Sequence, residues 1–502
     1  VSNIEREVKL VAPSSFQLPD LTVAADGRPV AVLPLQRLHA TYYDTADLRL
    51  VRWGITLRYR TGDDGGPMWT LKLPAGERGP GLSRRELDVH GTADTVPAEV
   101  TALLRGHIRH APVAPVATLS TMRTRVEVRD SDGRPLLEVA DDVVSALEGG
   151  EVAGGFREVE VEVRDDAVDD ALLRSIVERL CEEGAAPGDS APKVVVALGA
   201  RAVAPPEVVP VQLTSRSTAG DVVRAAIASA VTRLLAHDVG ARLGDDPEDV
   251  HQARVATRRL RSDLRTFRAF VDASWVKEIR EELRWLAARL GAVRDTDVLL
   301  ERLQKQARRV PELDQPPAAA LLHRLSAERD AARDELLAAL ASDRYADLVE
   351  NLVDAARVAR LTPEAEGRAQ RVLPEVVRRP WKHLESAVAA LGAAPEDAQL
   401  HEVRIRAKRA RYASEAVSAV IGKPAARLAS ALADVQSVLG DLQDAAVAEA
   451  WLRTAALSAP GAEAVVAGQL IAVQHHAMAR ARTHWRSAWK AASKKPLRSW
   501  LT

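Results

Sequence analysis

The stretch IEREVKL, residues 4–10, poses the question on which the reading of the first half of the chain turns. Side chains alternate across a β-strand. Read that way, one face carries Glu5, Glu7 and Lys9, and the other carries Ile4, Arg6, Val8 and Leu10. The same grammar recurs in ITLRYR (55–60), MWTLKLP (68–74), RRELDV (84–89), TMRTRVEV (121–128), PLLEVADD (135–142) and REVEVEV (157–163). Arg58 and Arg60 lie opposite Leu57 and Tyr59, and Lys72 lies opposite Leu71 and Leu73. Arg84, Glu86 and Asp88 oppose Leu87 and Val89, while Arg123, Arg125 and Glu127 oppose Val126 and Val128. Glu138 and Asp142 oppose Leu137 and Val139, and Glu158, Glu160 and Glu162 oppose Val159, Val161 and Val163.

One polar and one apolar face is the ordinary pattern of a half-buried antiparallel sheet. An ordinary solvent face, however, mixes in Ser, Thr, Gln and Asn. These faces are almost purely ionic, and most strands lean to one sign. Arginine and lysine neutralise phosphate oxygens. Carboxylates hold hard cations such as Mg²⁺ or Mn²⁺. If the sheet closes, the charged faces line a lumen and the apolar faces point outward, under helices. Turn signals separate the strands at TGDDGGP, RDSDGRP and LEGGEVAGG, and helical stretches fall near 96–106 and 166–183.

Taken in order, Glu-x-Glu-x-Lys on the first strand, YYDT (42–45), LRYR (57–60), WTLKLP (69–74), RREL (84–87), EVEVE (158–162) and PK (192–193) resemble the CYTH domain, the triphosphate tunnel metalloenzymes. The resemblance implies an eight-stranded antiparallel β-barrel tunnel with outer helices over residues 1–200. It also implies that Lys9, Arg58, Arg60, Lys72, Arg84, Arg123, Arg125 and Lys193 contact phosphates. Glu5, Glu7, Glu158, Glu160 and Asp142 would hold Mg²⁺ or Mn²⁺, and Glu5, Glu7, Lys9, Glu158 and Glu160 would form the catalytic set. Register leaves Asp141 against Asp142 and Arg84 against Arg85 open, with alternation from Glu138 favouring Asp142.

The segment VAPPEVVPV (203–211) breaks both helix and strand, so 201–214 reads as a linker. From about residue 215 the period becomes helical and Ala, Leu and Arg dominate. HQARVATRRLRSDLRTF begins at His251 and HEVRIRAKRARYASEAV at His401; LGAVRDTDVLLERL begins at Leu290 and LGDLQDAAVAEAWL at Leu439. Two motifs recurring in order at nearly one offset predict a duplicated all-α bundle over 215–502, with repeats at about 215–360 and 361–502. His251, Arg254, Arg258, Arg261 and Arg265 share one helical face, opposite Ala253, Ala256, Leu260, Leu264 and Phe267. The second copy places His401, Arg404, Lys408 and Arg411 at the same spacing, with Arg406 in place of Ala256. This half resembles the CHAD domain, which implies that the two basic stripes bind inorganic polyphosphate. A solvated face paired with neighbouring acids and a histidine metal site are the competing explanations.

The whole chain is then expected to be a two-domain α+β protein. Its expected activity is metal-dependent hydrolysis of inorganic tripolyphosphate to diphosphate and phosphate. Thiamine triphosphate, nucleoside triphosphates and RNA 5′-triphosphates are further candidate substrates, adenylate cyclase is another family activity, and a non-catalytic polyphosphate binder is the alternative class. Among 502 residues, 69 Lys and Arg balance 70 Asp and Glu, and aromatic residues are 4%, which argues against a nucleic-acid coat and against base stacking. The lone Cys181 excludes an internal disulfide. The charged start and the lack of an 18-residue apolar run predict no membrane association and a cytoplasmic location, with polyphosphate granules as an associated compartment.

Overall fold

The structure, a computed structural model, describes residues 2–63, 65–74, 82–165, 168–188 and 191–501; the side chains of residues 2–5, 82 and 83 also lie outside the described set. The chain divides into two compact units, Val1–Glu207 and Val208–Thr502.

The first unit is built on β1 (Ser2–Ala12), β2 (Val30–Val32), β3 (Gln36–Asp44), β4 (Thr56–Thr61), β5 (Met68–Pro74), β6 (Leu82–Val89), β7 (Ala114–Arg129), β8 (Pro135–Glu148), β9 (Glu151–Val163) and β10 (Ala186–Pro187). All pairings are antiparallel, and the path runs β10-β1-β6-β5-β4-β3-β7-β8-β9, with β2 on β7. The described sheet therefore has ten strands, not the expected eight, and it is not a regular closed barrel. β1 divides its pairing: Ser2–Glu7 pair with β6, while Glu7–Ala12 pair with β9. Three of the ten strands lie outside the alternating stretches read from the sequence: nine-residue β3 and the short β2 and β10. β7, at 16 residues, is long enough to hold β2 as well as β3 and β8, and β10 covers only Leu10 and Val11. No alternating pattern can announce strands of two or three residues.

The β8–β9 hairpin shows how local sequence sets register. Gly149 and Gly150 take φ of 60° and 91°, a conformation that a two-residue hairpin turn needs and that Cβ disfavours. The turn signal extends over LEGGEVAGG, but Val152–Gly155 continue β9.

Four helices complete this unit: α1 (Arg49–Arg52), α2 (Ala98–Ile108), α3 (Asp170–Glu182) and α4 (Lys193–Leu198). α3 starts where the Asp169 carboxylate accepts from the Ala171 amide at 2.9 Å. Its Leu172, Leu173, Ile176 and Leu180 form one core with Val126, Val128, Leu137, Val139, Val159 and Val161. The apolar faces of β7, β8 and β9 thus point away from the charged faces and are sealed by α3. Val194 of α4 packs with Tyr42, Leu119 and Val144, which anchors the helix that carries Lys193.

The second unit is helical: α5 (Ala219–Ala236), α6 (Asp238–Leu243), α7 (Pro247–Thr266), α8 (Ala273–Ala307), α9 (Gln315–Ala341), α10 (Asp343–Arg357), α11 (Ala369–Ala389), α12 (Asp397–Ile421), α13 (Lys423–Leu457), α14 (Gly461–Ala492) and α15 (Lys495–Arg498). The expected apolar face of α7 is buried at Ala253, Ala256, Leu260 and Leu264, with Phe267 just beyond its end. α7 packs against α8, and α12 packs against α13; α8 and α13 are each 35 residues long. The two motif copies sit at matching places on these pairs. The Arg254 guanidinium passes over Gly291 of α8, and that of Arg404 passes over Gly440 of α13, each where a β-carbon would meet the arginine Nε at 3.7 and 3.9 Å. No helix among the described residues is long and apolar enough to cross a membrane.

Ile176 is fully buried between α3 and the sheet. Ile176→Ala is expected to lower the unfolding free energy of the first unit by about 3 kcal/mol, measured by denaturant titration, because truncation leaves a cavity against a rigid sheet.

Candidate functional site

The charged strand faces converge on a cavity of about 350 Å³ inside the first unit. Glu7, Lys9, Arg58, Arg60, Lys72, Arg84, Arg123, Arg125, Glu160 and Lys193 all line it. Arg84 is the inward arginine: it lines the cavity together with Glu86, two residues on along β6, and Lys72 stands 3.4 Å from Glu86 on the neighbouring strand. The Glu5 side chain lies outside the described residues; its backbone pairs with Arg84.

The acids gather on one side. Asp142 and Glu158 are paired across β8 and β9, and Glu160 follows on the same face of β9. One carboxylate oxygen from each of Asp142, Glu158 and Glu160 lies within 4.8 Å of the others. Asp141 points the other way. Its carboxylate takes two bonds from Arg157, at 2.8 and 2.7 Å, and Arg157 stacks over Phe16. A one-residue step inverts the face of a strand side chain, so register separates these two aspartates.

The cations lock onto this cluster. Lys193 Nζ is 3.0 Å from Asp142, 2.7 Å from Glu160 and in contact with Glu158. Lys9 Nζ is 2.8 Å from Glu160 and 3.7 Å from both Glu7 and Glu158. Arg123 forks onto Asp142 at 2.7 and 2.6 Å and reaches Glu160 at 2.8 Å. Burial alone would raise the Glu160 carboxyl, but Lys193, Lys9 and Arg123 hold it well below its usual range. Burial likewise raises Asp142, and Lys193 and Arg123 outweigh it, so its carboxyl lies low. At Glu158 burial prevails over Lys193 and Lys9, and the carboxyl is pushed up. Glu158 Oε1 sits within ion-pair range of both lysines yet accepts no well-angled hydrogen bond. Three clustered carboxylates are the donor chemistry of a hard divalent cation, so the residues fit a metal site.

The facing wall is cationic. The Arg58 charge and then burial bring Arg60 down to about 10. Tyr42 is buried among these groups. Burial raises its hydroxyl, but Arg58, Lys193 and Lys72 together bring it below its usual value. Tyr42, Glu86 and Glu138 line the cavity without having been singled out as site residues; YYDT was the one available signal for Tyr42.

In the helical unit the two basic stripes meet. Lys408 is depressed to about 7 by burial and then by Arg258, Arg404, Arg254 and Arg261, cations from both copies. Lys408 Nζ and the Arg411 guanidinium lie 5.7 and 5.8 Å from the Tyr412 ring centre, and Arg258 donates to the Tyr412 hydroxyl at 3.3 Å. Arg254 pairs with Asp295 at 2.8 Å, and Arg411 is diverted to Glu415 at 2.7 Å. His401 bonds Gln443 at 2.5 Å, and burial, then Arg294, pull His251 down. Among the described residues neither histidine joins a metal-ligating group. Arg261 and Arg265 face Arg280 and Arg284 of α8, and none of the four has an acidic partner among the described residues. Arg280 and Arg284 escaped the sequence reading because they stand one helical turn apart among Glu278, Glu281 and Glu282, which looks like an ordinary solvated face.

The sheet domain thus encloses a cavity walled by carboxylates on one side and guanidinium groups on the other, and the helical domain carries its own cationic face. Residues 3–194 match the CYTH domain and residues 225–453 match the CHAD domain. An uncharacterized protein of Mycobacterium tuberculosis strain H37Rv, Rv2226, is 34% identical over 455 residues, covering 85% of this chain and 83% of its own. The chain belongs to the family that joins an N-terminal CYTH domain to a C-terminal CHAD domain. Among solved structures it is similar to PptA from Streptomyces chartreusis, at 28% identity and TM-score 0.46 over 55% of this chain and 100% of that one. It is also similar to the CHAD domain from the plant Ricinus communis, at 26% identity and TM-score 0.48 over 58% and 96%.

Arg123→Ala strips the fork from fully buried Asp142. Unfolding free energy at neutral pH is expected to fall by about 3 kcal/mol, since the buried carboxylate loses its forked partner and keeps only Lys193. The Asp142 carboxyl is depressed in the folded chain. The stabilisation is therefore complete above the unfolded value of about 4 and disappears as pH falls through the lower folded value. Denaturant titrations should show a constant deficit above about pH 5 that shrinks below about pH 4.

Proposed function

We propose that the CYTH domain hydrolyses the terminal phosphoryl group of a triphosphate with a divalent metal, inorganic tripolyphosphate being the preferred substrate, and that the CHAD domain binds inorganic polyphosphate. CYTH domains are metal-dependent triphosphatases or cyclases. The observation that carries the tripolyphosphate reading is the lining of the sheet cavity. It is ionic nearly throughout, and among the described residues Tyr42 is its only aromatic ring. Such a wall grips a phosphate chain and offers no platform for a base or a thiazole.

Asp142, Glu158 and Glu160 would hold Mg²⁺ or Mn²⁺, with Glu7 beside them and Glu5 preceding it on β1. When bound, the metal supplies the charge that polarises a phosphoryl oxygen and acidifies water. Arg58, Arg60, Lys72, Arg84, Arg123 and Arg125 neutralise the equatorial oxygens and align the chain for in-line displacement. Lys9 and Lys193 stand between the carboxylates and the cavity, where each can exchange a carboxylate for a phosphate oxygen without leaving the site.

In the helical domain, Arg258, Arg261 and Arg265, with Arg254, Arg404 and Lys408, form the polyphosphate face, and His251, His401 and Arg411 flank it. Like charges at one-turn spacing repel. A polyanion removes that repulsion, so binding strength is drawn from strain already present in the free protein.

Phosphate release from tripolyphosphate in Mg²⁺ or Mn²⁺ should exceed release from ATP and from thiamine triphosphate. Glu158→Gln/Glu160→Gln should lower it at least about a hundredfold. No release with either metal from the native chain, together with retained polyphosphate binding, would make the protein a binder and not a hydrolase. Polyphosphate affinity should fall as pH rises above about 7, because a bound polyanion favours the charged Lys408 ammonium, while below 7 that ammonium is charged in both states. Titrations from pH 6 to 9 should show this loss in the native chain and a flatter profile in Lys408→Arg.

A further inference from the structure

The helical domain holds a second cavity, of about 640 Å³, between the end of α7 and helices α11 and α12. Its character is unlike that of the sheet cavity. Phe270, Val372, Val376 and Pro380 make an apolar floor. Arg265, Arg268, Arg379 and Arg409 stand around it, and none of these four has an ion pair or side-chain hydrogen bond among the described residues. The other charged groups at the rim are engaged: Glu375 pairs with Arg378, and Arg406 pairs with Glu402 at 2.7 Å and donates to the His383 carbonyl at 3.2 Å. Val376 and Pro380, one helical turn apart on α11, both line that floor. Pro380 lies inside α11 and has no N–H, so the Val376 carbonyl lacks its helical donor.

The arginines do not end at the rim. The Arg265 charge acts on Arg280, Arg409, Arg261 and Arg284, a run leading from the cavity along α7 and α8. An apolar slot with a spare carbonyl acceptor fits a flat ring that carries an amino group. A cationic run continuing from that slot fits several linked phosphates. A fatty acid would have one charge for this run and no donor for the carbonyl. Inorganic polyphosphate would leave the floor unused.

We propose that this cavity is a nucleotide site of the CHAD domain. It would seat an amino-bearing base on Val376 and Pro380 and a phosphate tail on Arg265, Arg409 and the α8 arginines. The base site is independent of the tripolyphosphate reading; the tail shares part of the arginine run assigned to polyphosphate and to that extent rests on it.

The test is photolabelling of the full-length chain with 8-azido-ATP in EDTA, so that metal-dependent hydrolysis is silent, followed by peptide mapping. Label is expected on peptides spanning 262–270 or 372–383. Unlabelled ATP should displace it at a concentration at least about tenfold below that needed with tripolyphosphate, the difference measuring the base. Val376→Trp, which fills the floor, and Arg379→Glu, which reverses an exposed rim charge and leaves the floor intact, should each reduce that label about tenfold. Absence of label on these peptides, equal potency of ATP and tripolyphosphate, or unchanged labelling in both variants would overturn the proposal. Polyphosphate retention by the same proteins separates the two readings. Val376→Trp should keep it, and a native chain that labels here but retains no polyphosphate would refute the polyphosphate assignment alone.

Discussion

The first unit depends on the neutralisation of Glu160. This carboxylate is enclosed with Lys9, Lys193 and Arg123 around it. An isolated ion there would cost several kcal/mol, and so would any of its partners alone. Acids and bases must therefore enter the interior together, from β1, β7, β9 and α4. That condition forces the reverse of the usual sheet: the polar faces turn in and the apolar faces turn out. It then requires α3 to cover Val126, Val139 and Val161, because otherwise the outer faces would remain wet.

The helical unit solves the opposite problem. Its cations are drawn from two copies of one motif and placed together, and of the described stripe residues Arg261 and Arg265 have no acidic partner while Arg254 and Arg411 do. The cost is visible at Lys408, whose ammonium is barely retained at neutral pH. Exposure makes the arrangement tolerable, since water and salt screen what the interior of the sheet could not. Internal carboxylates give the sheet cavity walls of both signs, three of them clustered closely enough to hold a metal ion.

Much of this was legible in the chain. Period-two alternation placed the charged residues of β1, β4, β5, β7 and β9 on common faces, and helical spacing separated Arg254, Arg258 and Arg261 from Ala253, Ala256 and Leu260. Short-range periodicity reports such facts because they follow from local backbone geometry. It was silent on β2 and β10, too short to alternate, and on the divided pairing of β1 that gives ten strands and not a regular eight-stranded barrel. It also passed over Arg280 and Arg284, hidden among glutamates, and counted Arg411 with the stripe although Glu415 holds it.

By itself, then, the amino-acid order determined which side chains share a face, where the two halves change character and where a motif repeats. Tertiary structure decided which of those faces meet. Asp142 and Glu158 become neighbours only because β8 and β9 pair in one register, and Asp141, a single residue away, is sent to Arg157 on the other side. Lys193 reaches the same carboxylates from a helix 33 residues beyond Glu160. Arg265 finds Arg280 and Arg409 through helix packing. Alternation is a property of one strand or one helix, whereas a charge cluster is a property of several. Its energy depends on distances that only long-range pairing and burial set.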